Sequence, residues 1–409
     1  MWQLPYNYSG CKRAIYLNAC ASLDQRPLTR HDATVSMFVK PDRYSADDIK
    51  VKAPRAIQFR GPRFNLRLGK YLHPLEKLVF DFEDEQGFPF MAKGKSVQRR
   101  AEILAAMRDT FQDPVFVCLD HSKFDSTVNE DHLRMTHRIY KQNFCSAELA
   151  WLCNQQINNR GYSKAGLRYR IRGTRMSGDY DTGLGNSLLN YMCLRSWLDQ
   201  GAVRGLIFLD GDDSVVIMES TSLSRLDMHH FEKFGFETKM TVTSEYSQVD
   251  FCQCRPVADT LCRNPERVLS NMMVTLKNYP NERMSAYLSA VGMAEVSCSS
   301  GMPIIQAAAL TLVSGAPKWE DEVWQKYVSG GCRNATPVTD EARLDFYEAF
   351  GVEPDLQISI ESYLLANPGM VAPPHHQHDT ESLHRTRQAW DSLGGSRSPD
   401  GLWAGEGGV

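Results

Sequence analysis

The chain has 409 residues, a formal net charge of −3 and 42% hydrophobic residues, enough to bury several cores in two or three subdomains. Its eleven cysteines are scattered with no Cys-x2-Cys pair, which argues against a disulfide framework and a zinc knuckle and fits reduced thiols in a cytosol. No stretch approaches the roughly 18 apolar residues of a membrane span, residues 1–30 lack signal-peptide order, and the bulk charge does not announce a nucleic-acid binder.

Residues 1–37 are mixed and lead into a basic block. Residues 39–70 carry nine Lys or Arg (Lys40, Arg43, Lys50, Lys52, Arg55, Arg60, Arg63, Arg67, Lys70) against three acids, and Lys93, Lys95, Arg99 and Arg100 follow. Local basic surface holds phosphates whatever the total charge, although a solvated face is the plainer reading of such a run alone. Residues 96–110 read as a helix with Ser96 as N-cap. An apolar strand over 114–119 ends in Asp120, and Asp125 follows five residues later. A helix near 129–143 has Asn129 as N-cap and Glu130 and Asp131 in its first turn. The RYRIR part of 148–173 alternates like a strand.

Residues 173–190 read GTRMSGDYDTGLGNSLLN. Gly173, Gly178, Gly183 and Gly185 make a flexible lead-in, with Ser177 and Thr182 as hydroxyl donors. A helical pattern then starts, with Leu184, Leu188 and Met192 at i, i+4 and i+8, and Thr182 and Asn186 share one helical face. Residues 205–218, GLIFLDGDDSVVIM, are two β-rich runs around Gly211-Asp212-Asp213 and predict a hairpin. From 258 to 366 the pattern is mostly helical, as at 283–294 and 340–350. From 367 the chain turns to Pro, His, Gly and Ser. The tail 367–409 reads as loose, with at most a short helix near 380–392, and His375, His376 and His378 read as a flexible cluster rather than a metal site.

Adjacent carboxylates on a hairpin tip repel each other, but they suit divalent cations, which prefer hard oxygen ligands. Asp120, at a strand end beside that hairpin, would set carboxylates from separate strands around one cation site. Two-metal catalysis needs such an arrangement: two ions about 4 Å apart, one activating the attacking hydroxyl and one stabilising the leaving pyrophosphate. Phosphoryl transfer is mostly positioning and charge neutralisation, so few other groups are required. Taken singly, Asp120 is equally a strand-end turn residue, and Thr182 equally the cap of a glycine-rich loop.

Together the three blocks resemble the signature of viral RNA-dependent RNA polymerases: Asp-x4-Asp at 120–125, Ser-Gly-x3-Thr-x3-Asn at 177–186 and Gly-Asp-Asp at 211–213. The order and the intervals match, with 52 residues from Asp125 to Ser177 and 35 from Ser177 to Asp212. YSGCKRAIY at 8–16, FVKPDR at 38–43, KAPRAIQFRGPRFNLRLGKYLHPLEK at 52–77, KGKSVQRRAEIL at 93–104, RMSGDYDTGLGN at 175–186 and FCQCRPV at 251–257 are similar to blocks of the tombusvirus-like group of positive-strand RNA viruses, which is itself related to the flavivirus polymerases. The resemblance covers roughly residues 8–257.

The resemblance implies an α+β right-hand polymerase. It divides the chain into an N-terminal region and fingers over 1–110, a first palm part over 111–147, a fingers insertion over 148–173, a second palm part over 174–257, a helical thumb over 258–366 and the tail 367–409. The palm would be a small antiparallel sheet backed by helices. Asp120, Asp212 and, secondarily, Asp213 would hold Mg²⁺, with Mn²⁺ as substitute. Asp125 and Asn186, supported by Thr182 and Ser177, would read the 2′-hydroxyl that separates RNA from DNA substrates. Arg55 and Arg63 would lead the triphosphate contacts, with Lys40, Lys52 and Arg60 beside them. Lys239 in FGFETKM at 234–240 would protonate the departing pyrophosphate, with Lys233 as the rival candidate. Gly178, Lys93, Lys95, Arg99, Cys252 and Arg255 would touch RNA, with FCQCRPV as a hairpin near the thumb. Asp179 and Asp181 depart from this picture, because they put acid beside a template-binding loop.

The implied partners are an RNA template, the nascent RNA and ribonucleoside triphosphates, with initiation that needs no primer. Host cytoplasm is the implied location, at membrane-associated replication complexes. The group usually carries an upstream membrane-targeting region and this chain has none: either the anchor is on a separate viral replication protein, alongside host factors, or Met1 is a cut. Two other readings stand beside this one. A reverse transcriptase would normally carry Tyr-x-Asp-Asp at the turn, where this chain has Gly211 preceded by Asp210. A degenerate polymerase kept as an RNA-binding replicase subunit would have lost Asp120, Asp212 or Asp213, and all three are present.

Overall fold

The computed structural model describes residues 4–8, 10–40, 42, 48–275 and 279–368. The tail 369–409, with its histidine cluster and the helix expected near 380–392, lies outside them, as does Arg43. Two compact units interleave along the chain: one gathers the described residues of 1–42, 52–93 and 107–244, the other those of 43–51, 94–106 and 245–409.

In the first unit the strands are β1 (Val35–Val39), β2 (Ala56–Arg60), β3 (Pro114–His121), β4 (Asn158–Ser163), β5 (Arg168–Arg172), β6 (Gly205–Asp210), β7 (Asp213–Glu219) and β8 (Thr238–Thr243). They make two four-stranded sheets, in the orders β2-β1-β4-β5 and β6-β7-β3-β8. Every pair of the second sheet is antiparallel. Its inner strands β3 and β7 are apolar runs buried along most of their length, as strands covered on both faces must be. Its edge strand β8, TKMTVT, is half exposed and carries a lysine, which blunts an unpaired edge.

The helix Thr182–Gln200 packs Leu189, Leu194, Trp197 and Leu198 into the core of this sheet, with Val117, Leu119, Ile207, Val216 and Phe231. Its first turns send Leu184 and Leu188 into a second core, with Phe64, Leu68 and Leu72 of the helix Pro62–Phe80 and with Tyr140, Leu149 and Leu152. One helix therefore ties both cores to the loop before it. The expected caps are in place. The helix Glu130–Asn143 opens on a reciprocal box between Asn129 and His132, and Ser96 Oγ accepts from Arg99 N at the start of Val97–Arg108.

The second unit pairs β9 (Cys254–Val257) with β10 (Thr260–Arg263) as a hairpin, so FCQCRPV does enter a hairpin. Helices follow, among them Asn281–Cys298, Ile305–Leu312, Asp340–Phe350 and Pro354–Ala366, around Leu269, Met302, Ile305, Phe346 and Ile360. Among the described residues no helix is long and apolar enough to cross a membrane. Helices together with small, mostly antiparallel sheets, in which only the β1–β4 pair among the named strands is parallel, make this an α+β chain.

Candidate active site

The site grows from the end of β3. Asp120 is the penultimate residue of that strand and is exposed, while its neighbour His121 is buried. Across the strand pair, Asp120 faces Lys239 of β8 in register. Lys233 instead gives its ammonium to Asp227 at 2.7 Å.

The β6–β7 turn lies at the same end of the sheet. Asp210 pairs with Asp213, leaving Gly211 and Asp212 as a two-residue turn, and Gly211 has φ +73°, which suits glycine at the first turn position. The helix Thr182–Gln200 holds this turn. Gly211 N donates to Ser187 Oγ at 3.0 Å, and Asn190 Nδ2 donates to the carbonyls of Gly211 and Asp212, each at 3.1 Å. Because Asn190 spends its amide hydrogens there, its Oδ1 must accept from His121 Nε2, 3.1 Å away. His121 Nδ1 is then the acceptor for the Thr238 hydroxyl at 2.8 Å. Burial keeps the His121 ring neutral by lowering its pKa. One chain of hydrogen bonds thus fixes the Asp-Asp turn, the end of β3 and the start of β8 together.

The Asp212 carboxyl is pushed up to about 6, chiefly by burial, with the charges of Asp125, Asp120 and Asp210 adding to it. Three neighbouring carboxylates therefore act on that of Asp212. Among the described residues no group of three or more His, Cys, Asp or Glu side chains could hold a metal ion as it stands.

Next to this corner lies a buried polar chain. Asn186 Nδ2 donates to Asp125 Oδ1 at 2.7 Å, and Arg175 Nε donates to Asn186 Oδ1 at 3.1 Å. Arg175 thereby fixes which way the Asn186 amide points. Arg175 N also donates to Asp125 O at 2.8 Å, and Arg175 Nη1 pairs with Asp181 at 2.7 Å with both side chains buried. The guanidinium lies against Gly185, where any Cβ would collide with it. Gln156 Nε2 donates to Asp181 and to Asp179, and Asp179 pairs with Arg60. The acids beside the glycine-rich loop are thus buried partners of arginines, turned away from any incoming phosphate. Burial also holds the Asp125 carboxyl above its ordinary range, with Asn186 and Arg175 pulling it back.

The other expected residues fall in two groups. Ser177 Oγ accepts from Gln58 N at 3.3 Å, Gly178 N donates to Gln58 O at 2.7 Å, and Thr182 Oγ1 donates to the carbonyls of Met176 and Asp179, so the loop is tied to β2 and closed on itself. Lys93 runs its ammonium against Gly183. Arg55 and Lys40 converge on Asp42, at 2.6 and 3.4 Å, and stay partly exposed; Lys52 lies in the same unit. Arg60 and Arg63 differ from expectation. Both are buried, and their guanidinium nitrogens bond inside the protein, Arg60 to Ala33 O, Gln155 O, Asn159 and Asp179, and Arg63 to Asp32, Ser22 and the carbonyls of Arg26 and Pro27. With donors so committed, neither is left to grip a triphosphate.

Lys95, Arg99, Cys252 and Arg255 belong to the second unit. There Arg99 pairs with Glu102, Arg100 Nη1 approaches Cys252 Sγ at 3.6 Å, and Arg255 Nη1 donates to Gln248 at 2.9 Å and to Ala349 O. The sequence reading missed Asn190, Ser187, His121 and Arg175. Asn190 was within reach, since it continues the Thr182–Asn186 face by one more step of four.

The model of the viral RNA dependent RNA polymerase family matches residues 2–367. The chain belongs to that family. Relatives of this family member include the RNA-directed RNA polymerases of turnip crinkle virus, 32% identical over 383 residues and 88% of this chain, and of groundnut rosette virus (strain MC1), 34% identical over 376 residues and 87%. A third, from tobacco necrosis virus (strain A), is 31% identical over 383 residues and 88%. The matches cover 49%, 45% and 53% of those proteins, so the chain spans about half the length of the curated relatives it matches.

Proposed function

We propose that the chain is the polymerase part of a positive-strand viral replicase and copies RNA by template-directed addition of ribonucleoside monophosphates to a 3′-hydroxyl. The observation that carries this reading is the corner where Asp120, Asp125 and Asp210 act on the raised carboxyl of Asp212 while Asn186 is locked onto Asp125. The antiparallel sheet β6-β7-β3-β8 is read as the palm, the 148–173 segment as part of the fingers, and the helices after β10 as the thumb.

Asp120 and Asp212, with Asp213 as a secondary ligand, would hold a hard divalent cation, which would relieve the pressure of the Asp120 charge on the Asp212 carboxyl. Mg²⁺ commonly takes one or two carboxylates and draws its remaining ligands from substrate phosphates and water, which suits a site with no complete protein cage. Bound there, Mg²⁺ or Mn²⁺ supplies charge neutralisation on the phosphates and the attacking oxygen. The chain's own residues do the rest. Asn186 keeps one amide hydrogen for the sugar, and Asp125 Oδ2, with no partner among the described residues, accepts from the 2′-hydroxyl. Arg55 and Lys40, drawn together by Asp42, meet the triphosphate. Lys239, opposite Asp120 in the strand register, gives a proton to the leaving pyrophosphate in this reading.

Template-dependent incorporation by the purified chain, with Mg²⁺ and four ribonucleotides on a short single-stranded RNA, tests this. Asp212→Ala and Asp120→Ala should each abolish incorporation and leave RNA binding mostly intact. Incorporation at the wild-type rate by Asp212→Ala would sink the assignment.

A further inference from the structure

The helix Pro62–Phe80 turns a stripe toward the glycine-rich loop, and the proposed reaction gives that stripe no task. Asn65, Gly69, His73 and Glu76 follow one another at steps of four, four and three, so they share one helical face. Each of them meets Tyr180. Asn65 is buried and straddles the loop: its Oδ1 accepts from Tyr180 N at 3.1 Å, and its Nδ2 donates to Gly178 O at 3.4 Å. Gly69 leaves room for the ring, since a Cβ there would lie 2.8 and 2.9 Å from two carbons of Tyr180. His73 and Glu76 both reach the Tyr180 hydroxyl.

The direction of each bond follows from the donors. The Asn7 amide nitrogen can only donate, so His73 Nε2, 2.9 Å away, accepts from it. Burial keeps the His73 ring neutral by lowering its pKa, so its one hydrogen sits on Nδ1. Nδ1 donates that hydrogen to the Tyr180 hydroxyl at 3.2 Å, and the hydroxyl donates its own to Glu76 Oε2, also at 3.2 Å. Tyr180 stands between Asp179 and Asp181, whose carboxylates are taken by Arg60 and Arg175. The loop is thus gripped twice, by arginines through its acids and by the helix stripe through its tyrosine. Asp181 immediately precedes the helix Thr182–Gln200, and its partner Arg175 orients the Asn186 amide.

We propose that Tyr180 is a positioning residue for sugar choice: its hydroxyl, held by His73 and Glu76, fixes the entry into the helix Thr182–Gln200 and, through Asp181 and Arg175, the direction of the Asn186 amide. Tyr180 itself touches no substrate. A phenylalanine would fill the same space, so packing alone gives no reason for the hydroxyl. A ring tolerates a small slide along its apolar bed, whereas a hydrogen bond weakens steeply once its angle falls below about 120°. The hydroxyl, not the ring, therefore sets where the next residue, Asp181, stands. The inference rests on the reading of Asn186 as the group that meets the 2′-hydroxyl.

Two measurements on the whole chain test this. One is amide hydrogen exchange over residues 176–187, read by mass spectrometry, which needs no incorporation. The other is the kcat/KM ratio for ribonucleotides over deoxyribonucleotides. Tyr180→Phe keeps the ring and loses the hydroxyl: exchange should quicken, and the ratio should fall about fivefold, the worth of one hydrogen bond. Glu76→Gln keeps an acceptor for the phenol and should retain most of the ratio that Glu76→Ala loses. Tyr180 and Arg175 act on the same amide, so Tyr180→Phe combined with Arg175→Lys should lose no more than Arg175→Lys alone. Exchange at the wild-type rate in Tyr180→Phe overturns the proposal, and so do losses that multiply in the double variant. A lower melting temperature with an unchanged ratio, where Asn186→Ala does lose it, assigns Tyr180 to stability alone and overturns the proposal too. An unchanged ratio in Asn186→Ala, or a wild type that incorporates nothing, sinks the polymerase reading of the site, while quickened exchange in Tyr180→Phe still upholds the hold of the hydroxyl on the helix entry.

Discussion

Lys239 lies directly across the β3–β8 strand pair from Asp120, so its side chain leaves the sheet on the same face as that carboxylate. Lys233, its rival, is taken by Asp227. Lys239→Met should therefore slow the chemical step about a hundredfold, the lower range for a lost general acid. Lys233→Met should stay near the wild type. Single-turnover rapid-quench measurements of both separate the two, and equal losses would remove Lys239 from the role.

Sugar choice should depend on Arg175 as well as on the pair it orders. Asn186→Ala and Asp125→Ala remove groups assigned to the 2′-hydroxyl, which narrows the preference for ribonucleotides. Arg175→Lys keeps a charge for Asp181 but loses the planar fork that also orients Asn186. Its kcat/KM ratio for ribonucleotides over deoxyribonucleotides should fall by about tenfold, with RNA affinity unchanged. A ratio that survives in Arg175→Lys while Asn186→Ala loses it would show that the amide needs no such guide.

Asn190→Ala should act on kcat more than on nucleotide KM. It frees the Gly211-Asp212 turn and leaves the His121 Nε2–H without its acceptor. A displacement near 1 Å in a reacting group costs about a hundredfold in rate. An effect confined to KM would place Asn190 on the substrate rather than behind the turn.

Stability should fall in mild acid because of His137. This buried ring donates from Nε2 to Gln156 Oε1, and its pKa is pushed down to about 4, chiefly by burial, from an ordinary 6.5. Between those values the unfolded chain binds a proton that the folded one refuses. Folding stability is therefore level above the upper value and falls as pH drops toward the lower one, by up to about 3 kcal/mol. Urea midpoints near about pH 7 and about pH 5 should differ, and His137→Gln should narrow the gap. An equal gap in that variant would assign the acid sensitivity elsewhere.

Local signals carried far along this chain. Continuous apolar runs gave β3, β6 and β7, and caps gave the starts of the helices at Val97 and Glu130, because these depend on near neighbours alone. The acids and hydroxyls of the candidate site were legible from spacing. The fate of Arg60 and Arg63 was not. A basic run looks alike whether its arginines face solvent or carboxylates more than a hundred positions away, as Arg60 and Asp179 are. Arg175 was hidden for the same reason, since its partners Asp181, Asn186 and Asp125 converge only after the loop folds back on β3 and the helix.

The polar chain from Arg60 through Asp179, Gln156, Asp181, Arg175 and Asn186 to Asp125 also bears on how such a sequence can drift. Removing one partner of a buried ion pair leaves the other charge stranded, at a cost of about 3–5 kcal/mol, while replacing both together can be neutral. Single steps that remove one charge of the Arg60–Asp179 or Arg175–Asp181 pair are therefore closed, and double steps are open. Lineages that diverge here should do so in linked jumps, and a residue transplanted alone from a relative into this loop should fail even though it functions in its own background.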